Sequence, residues 1–353
     1  MLLFLFACGA DPDAPPPAAA PWADPATVGP AAVVTDSGEF ESQDGLTLVG
    51  QAWYPSEAPS GFVARYDDFW SSPTASDAGP ATCNVPRPVV VFSHGNTGMR
   101  WQSYFLAERL ASHNFVVVAP DHVGNTIFDN DESRKAELIV RRPRDVADTF
   151  DWLLRRSADP ADPLYGCADP GAGYAVIGHS FGGYTALAVA GAALDLARAK
   201  EVCEVGGWLC EHLAEVEAEY GVDAVVDGHD PRIWASVPMA PAAYELLAGG
   251  LGLMDVPVLL MAGEADTSVT LTEVELIRGD LATDSDLGVL LGGSHYSFSN
   301  ACTIVSESSY CPAPLDDAIA HERISHATLS RLRGLLGDSK VEFPTIAPEW
   351  EWR

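Results

Sequence analysis

Ser180 stands in Gly178-His179-Ser180-Phe181-Gly182-Gly183, between the apolar run Tyr174-Ala175-Val176-Ile177 and the small-residue, helix-forming stretch Tyr184 to Ala197. This is a G-x-S-x-G pattern in a strand–turn–helix setting, which projects a serine hydroxyl above a sheet edge. Gly178 and Gly182 keep the turn free of crowding, and Gly183 allows close packing of the following helix. A serine hydroxyl is a weak nucleophile at neutral pH and needs a base, itself oriented by a carboxylate. In this setting the partners follow in the order Ser…Asp…His. Asp266 comes directly after the apolar run Val256 to Ala262, with Glu264 as the alternative acid. His295 follows the run Leu287 to Leu291, in the Gly-rich segment Gly292-Gly293-Ser294-His295. Acyl chemistry also requires donors for an oxyanion. The backbone N–H of Phe181 is one, and the N–H of Asn96 in Ser93-His94-Gly95-Asn96 is the second.

The remaining histidines are set aside. His94 and His179 belong to turn motifs and read as structural, while His113, His122, His212, His229, His321 and His326 lack the position. No Cys/His set has zinc spacing, and Asp129-Asn130-Asp131-Glu132-Ser133 lacks the Gly and terminal Glu of a calcium loop, so neither metal nor cofactor is expected.

The elements that must position these residues follow from the apolar pattern. Gly38 to Glu41 and Leu46 to Pro55 read as antiparallel lead-in strands, and Ser56 to Arg87, rich in Pro, Ser and Asp, as a loop. From Pro88 onward strands alternate with helices, the signature of a mostly parallel sheet. Strands are predicted at Val89 to Ser93, Phe115 to Pro120, Tyr174 to Ile177, Ile233 to Pro241, Val256 to Gly263 and Leu287 to Leu291. Helices are predicted at Trp101 to Ser112, Arg144 to Arg156, Leu271 to Leu281 and Asp316 to Leu336. An acidic excursion at about 198–230, carrying Cys203, Trp208 and Cys210, reads as an inserted cap. The main domain is expected to span 33–340, followed by a tail at 341–353.

The 353 residues are 47% hydrophobic, enough for one large α/β domain. The formal net charge is −30, from 50 acidic and 20 basic residues, which argues against nucleic acid and against electrostatic docking to anionic lipid. Met1 to Cys8 ends in Leu5-Phe6-Ala7-Cys8 and is followed by Gly9, a pattern similar to the lipobox of bacterial lipoproteins, with Phe6 where a small residue is usual. Lipidation of Cys8 would tether the domain to a membrane through the Ala/Pro-rich segment 9–32, read as extended. Six further cysteines then remain. Cys203/Cys210 and Cys302/Cys311 are the natural local pairs, leaving Cys83/Cys167, and such bridges fit an exported location.

With these residues in hand, the chain resembles the α/β-hydrolase superfamily, and within it the platelet-activating-factor acetylhydrolase-like and "predicted dienelactone hydrolase" group. The resemblance rests on Val91 to Gly95, on Leu110 to His122, on Gly178 to Ala186, and on the Asp266 and His295 segments, and covers about Thr47 to Gly334. It implies an α/β-hydrolase fold and hydrolysis of a short ester or lactone through an acyl-enzyme, without metal. Ser180 stands where dienelactone hydrolases carry cysteine. Secreted cutinase-like polyester hydrolases share the serine turn and often a disulfide near the catalytic histidine, a place Cys302/Cys311 would fill, but they are usually lidless. The resulting expectation is an exported, monomeric serine esterase acting on a small-molecule ester. Its alternatives are a lipase-like or polyester-active hydrolase and a non-catalytic surface lipoprotein on a hydrolase fold.

Overall fold

A computed structural model describes residues 22–67, 69–304, 311, 314–338 and 348–353. Cys8 and the first part of the expected tether, 9–21, lie outside them, as does the segment 339–347 before the terminus.

The chain opens on two antiparallel strands, β1 (Ala32–Glu41) and β2 (Thr47–Ser56). A hairpin follows, β3 (Ser60–Tyr66) and β4 (Trp70–Ala78), where the composition predicts a loop. Next come β5 (Val89–Ser93), α1 (Tyr104–Ser112), β6 (Val116–Pro120) and the long α2 (Lys135–Ala158). β7 (Tyr174–His179) leads to α3 (Phe181–Val189). The excursion holds β8 (Leu194–Asp195), α4 (Leu196–Cys203), α5 (Leu213–Tyr220) and β9 (Val225–Val226). The remaining elements are β10 (Ile233–Met239), α6 (Tyr244–Leu247), β11 (Val258–Gly263), α7 (Leu271–Asp280), β12 (Ser285–Leu290), α8 (Ala301–Ile304), α9 (Asp317–Leu335) and β13 (Trp350–Trp352).

One sheet runs in the order β13-β12-β11-β10-β7-β5-β6-β2-β1-β4-β3. Its central strands, from β12 to β6, are all parallel. Every residue of β5, β6, β7 and β11 is buried, which is why these strands read as unbroken apolar runs rather than alternating ones. Helices flank the sheet: α2 packs with α3, and α1 with α9.

Five sequence expectations are corrected. The Ser56–Arg87 loop contains the hairpin, held by a carboxylate that local pattern does not reveal: buried Glu108 of α1 accepts the hydroxyls of Tyr66 (2.7 Å), Ser72 (2.5 Å) and Thr74. The helix expected from Tyr184 to Ala197 stops at Val189, and the chain turns at Gly191, whose φ is 115°. The helix predicted from Arg144 begins nine residues earlier, at Lys135, and runs through Pro143. The end of the tether is docked, not extended. Trp22 packs on Phe115 with ring centroids 5.9 Å apart, and the Gly29 N–H donates to Ser112 Oγ at 3.0 Å. The C-terminal tail adds a strand, since Trp350–Trp352 pairs antiparallel with β12.

The three bridges formed are Cys83–Cys167, Cys203–Cys210 and Cys302–Cys311, with Cα separations of 5.0, 5.6 and 5.2 Å. They are the pairs the spacing favours.

Candidate active site

Strand register brings the chemistry together. Ser93 at the end of β5 lies level with Gly178 on β7, so the loop His94–Asn96 emerges beside the turn that carries Ser180. Gly263 at the end of β11 lies level with Leu290 of β12, so the loops bearing Asp266 and His295 also leave the sheet side by side. All four loops lie at the C-terminal edge of a parallel sheet, where such folds place their ligands.

Ser180 sits at φ 57°, ψ −118°, a left-handed conformation for a non-glycine residue that costs on the order of 1–3 kcal/mol and persists only where the surroundings enforce it. Here its N–H donates to Met239 O at 2.9 Å, and its carbonyl accepts the N–H groups of Gly183 (2.8 Å) and Ala242 (3.1 Å). The flanking glycines are steric requirements. A Cβ on Gly178 would lie 2.0 Å from Gly182 O, and one on Gly182 would lie 2.0 Å from Ser93 O.

His295 is held by Asp266. Its Nδ1–H donates to Asp266 Oδ2 at 2.8 Å, and the other carboxylate oxygen accepts the N–H groups of Ser268 (2.8 Å) and Val269 (2.9 Å). A carboxylate only accepts, so the ring proton resides on Nδ1 and Nε2 is left as the acceptor. Both residues are buried, yet His295 and Ser180 line one cavity of about 1090 Å³. Glu264, the alternative acid, is exposed and instead accepts the Gly292 N–H at 2.9 Å.

Asn96 and Gly95 line the same cavity, and Phe181 begins the helix behind Ser180. The Gly95–Asn96 peptide is oriented by His94. Its Nε2 accepts the backbone N–H of His122 (3.0 Å), which leaves Nδ1–H to donate to Gly95 O (2.7 Å). His179 is likewise scaffold. Gln102 Nε2 donates to its Nδ1 (2.8 Å), and its Nε2–H donates to the His295 carbonyl (2.9 Å). Burial drives the pKa of both rings well below the ordinary histidine value and keeps them neutral.

Several supporting residues escape sequence reasoning. Gln102 ties His179 to the Gly95 N–H (3.1 Å). Ser93, His122 and Asp145 form a second Ser–His–Asp chain, with Ser93 Oγ 2.9 Å from His122 Nε2 and Asp145 Oδ2 2.8 Å from His122 Nδ1. All three are sealed in the interior, and Arg142 donates to Ser93 Oγ at 3.2 Å, so this chain braces the His94–Asn96 loop from within and does not open on the cavity. Trp208, which the sequence already places in the inserted cap between Cys203 and Cys210, stands edge-on to the Phe181 ring at 5.1 Å and lines the cavity. No spacing signal marks these contacts, because each partner lies on a different element. Among the described residues no group of three or more His, Cys, Asp or Glu side chains is arranged to hold a metal, and the Asp129 carboxylate instead accepts the Gly124 and Thr126 N–H groups.

The fold and this arrangement define a class of protein. The model of the alpha/beta hydrolase family matches residues 90–307, and the chain belongs to that family. Among curated proteins it is similar to two cutinases of Thermobifida alba. It is 29% identical to Cutinase est2 over 198 residues, 52% of this chain and 59% of that protein. It is 32% identical to Cutinase est1 over 145 residues, 40% of this chain and 44% of that protein. The aligned stretch thus spans about half the length of these relatives. Among solved structures, a ferulic acid esterase from Streptomyces cinnamoneus shares the fold with a TM-score of 0.59 at 21% identity, covering 95% of this chain and 98% of that one.

Proposed function

We propose that this protein is an exported serine hydrolase of carboxylic esters, acting on short-chain esters or lactones. The observation that carries the reading is the buried Asp266–His295 hydrogen bond of 2.8 Å on the wall of the cavity that Ser180 also lines. In this reading Ser180 Oγ attacks the ester carbonyl and His295 Nε2 takes its proton. The N–H groups of Phe181 and Asn96 receive the oxyanion. His295 returns the proton to the leaving alcohol, then activates water to release the acid from the acyl-enzyme. Asp266 holds the imidazole and stabilises its cation. The cutinase relatives support ester chemistry, and the three disulfides support an oxidising compartment. Tethering through a lipidated Cys8 is part of the same proposal; the mass of the mature N-terminal peptide tests it.

A fluorophosphonate probe is expected to label the protein but not Ser180→Ala, and Ser180→Ala is expected to lose turnover of p-nitrophenyl acetate. Equal labelling of both proteins overturns the reading. A correctly folded parent that turns over no ester would instead favour a binding role.

One observation favours the second reading, a hydrolase of larger apolar or polymeric esters. The cavity wall includes Val205 (94% exposed), Phe69 (67%), Phe128 (64%) and Trp208 (44%), so the mouth presents apolar side chains to water. A p-nitrophenyl ester series of rising chain length separates the two: an optimum at two to four carbons supports the first, an optimum at long chains the second.

A further inference from the structure

Asn96 enters the proposed mechanism only through its backbone N–H. Its side chain has a more specific environment. Lys135 Nζ lies 2.6 Å from Asn96 Oδ1, and Asn125 Nδ2 lies 2.7 Å from the same oxygen. An ammonium group only donates, so the end of the carboxamide that meets Lys135 must be the oxygen. The orientation of Asn125 follows the same logic, because Arg142, which also only donates, bonds its Oδ1 and leaves Nδ2 facing Asn96. The Asn96 amide is therefore oriented with its oxygen toward the interior. Its Nδ2 carries no protein acceptor among the described residues, and Asn96 lines the cavity with Ser180 and His295.

The donors behind this amide are cations that are costly to bury. Lys135 and Arg142 are both fully buried. They lie seven residues apart on α2, two turns along one face. Lys135 also meets Asn130 Oδ1 and Glu132 Oε1, each at 3.3 Å. Arg142 donates to the His94 carbonyl, to Thr185 Oγ1 (3.0 Å) and to Ser93 Oγ (3.2 Å), and its guanidinium sits 4.5 Å over the Phe181 ring. Two positive charges thus lie behind the two loops that carry Asn96 and Phe181. A cation at the oxygen end of an amide withdraws electron density and makes its N–H a stronger donor, an effect that low dielectric amplifies.

We infer that the Asn96 side-chain Nδ2 is an additional hydrogen-bond donor to the oxyanion, with Lys135 and Asn125 as the residues that position and polarise it. The inference rests on the serine-hydrolase reading. It predicts a donor that can be removed by mutation, unlike the two backbone N–H groups.

The test compares Asn96→Ala, Lys135→Met, Lys135→Arg and the double variant Asn96→Ala/Lys135→Met on p-nitrophenyl acetate, with thermal melts beside them. Asn96→Ala is expected to lower kcat about 100-fold with KM little changed, the loss typical of one oxyanion donor. Affinity for a boronic acid, which forms a tetrahedral anion on the serine, should fall in parallel. Lys135→Met should lower kcat roughly 10-fold in the parent but cause little further loss in Asn96→Ala, and Lys135→Arg should recover most of the activity. A kcat for Asn96→Ala within about threefold of the parent overturns the inference, as does an equal effect of Lys135→Met in both backgrounds. If Asn96→Ala does not fold, the Lys135 pair decides: loss in Met with recovery in Arg supports the inference, and parental kcat in both overturns it. Failure of the underlying reading is distinct, because Ser180→Ala would then retain parental turnover.

Discussion

Asp266→Asn is the sharpest perturbation of the Asp266–His295 pair, because it keeps the shape and changes only what the side chain donates. One carboxylate oxygen accepts two backbone N–H groups, from Ser268 (2.8 Å) and Val269 (2.9 Å), and the other accepts His295 Nδ1–H (2.8 Å). An asparagine has two ways to fit. With its oxygen toward His295, its NH2 would face the two backbone donors and strip both of their acceptor, at about 1–3 kcal/mol each, or roughly 2–6 kcal/mol together. With its oxygen toward Ser268 and Val269, its NH2 donates to His295 Nδ1. The second arrangement wins. It drives the ring proton to Nε2, so the nitrogen that accepts the Ser180 proton in the proposed mechanism is already protonated. An imidazole in the wrong tautomer costs about 10⁴-fold in turnover, or about 5.5 kcal/mol of transition-state stabilisation. Steady-state kinetics on p-nitrophenyl acetate near neutral pH are expected to show that loss with a melting temperature close to that of the parent. Glu264→Gln, which alters only the bond to Gly292, should stay within a few-fold of parental activity. A loss below about tenfold for Asp266→Asn, or an equal loss for Glu264→Gln, would refute the reasoning.

Two further predictions concern stability. The Cys83–Cys167 bridge joins residues 84 apart in sequence, and Cys203–Cys210 joins residues 7 apart. On the chain-entropy argument they contribute about 4.5 and about 2.4 kcal/mol, so replacing the first pair by serine should lower the urea midpoint about twice as far as replacing the second; the reverse order would contradict it. Asp145 is buried, and burial pushes its carboxyl up to about 7, against a smaller downward pull from Arg141 and Arg142. The unfolded chain releases this proton near pH 4, so the native state binds more protons between about pH 4 and about pH 7, and this group lowers stability as pH rises through that window. Asp145→Asn should flatten that part of the pH dependence measured by urea unfolding, and an unchanged slope would refute the assignment.

Local pattern accounts for much of the architecture. The runs Val89–Ser93, Val116–Pro120 and Val258–Gly263 are strands buried on both faces, and an unbroken apolar run is what such a strand requires. The hairpin β3–β4 carries no comparable signal. Its second strand, Trp70–Ala78, is largely polar and contains Pro73, and the hydroxyls of buried Ser72 and exposed Thr74 both bond Glu108, which lies on another element. The early start of α2 at Lys135 is hidden for a related reason. Lys135 and Arg142 look like surface residues by type, and oxygens from other parts of the chain, among them those of Asn96, Asn125, His94 and Ser93, make their burial tolerable.

By itself the sequence determined the strand–turn–helix around Ser180, because its first constraint is local: a Cβ on Gly178 would strike the Gly182 carbonyl four residues on. It also determined the order in which Ser180, Asp266 and His295 follow their strands. Tertiary structure alone decided which carboxylate meets His295. Asp266 and Glu264 are separated by a single residue, yet the turn after β11 buries one and exposes the other. It also decided that His179, the neighbour of Ser180, spends both ring nitrogens on Gln102 and the His295 carbonyl. Hydrogen-bond partnership depends on distance and direction across the fold, and neither is written in the spacing of residues along one strand.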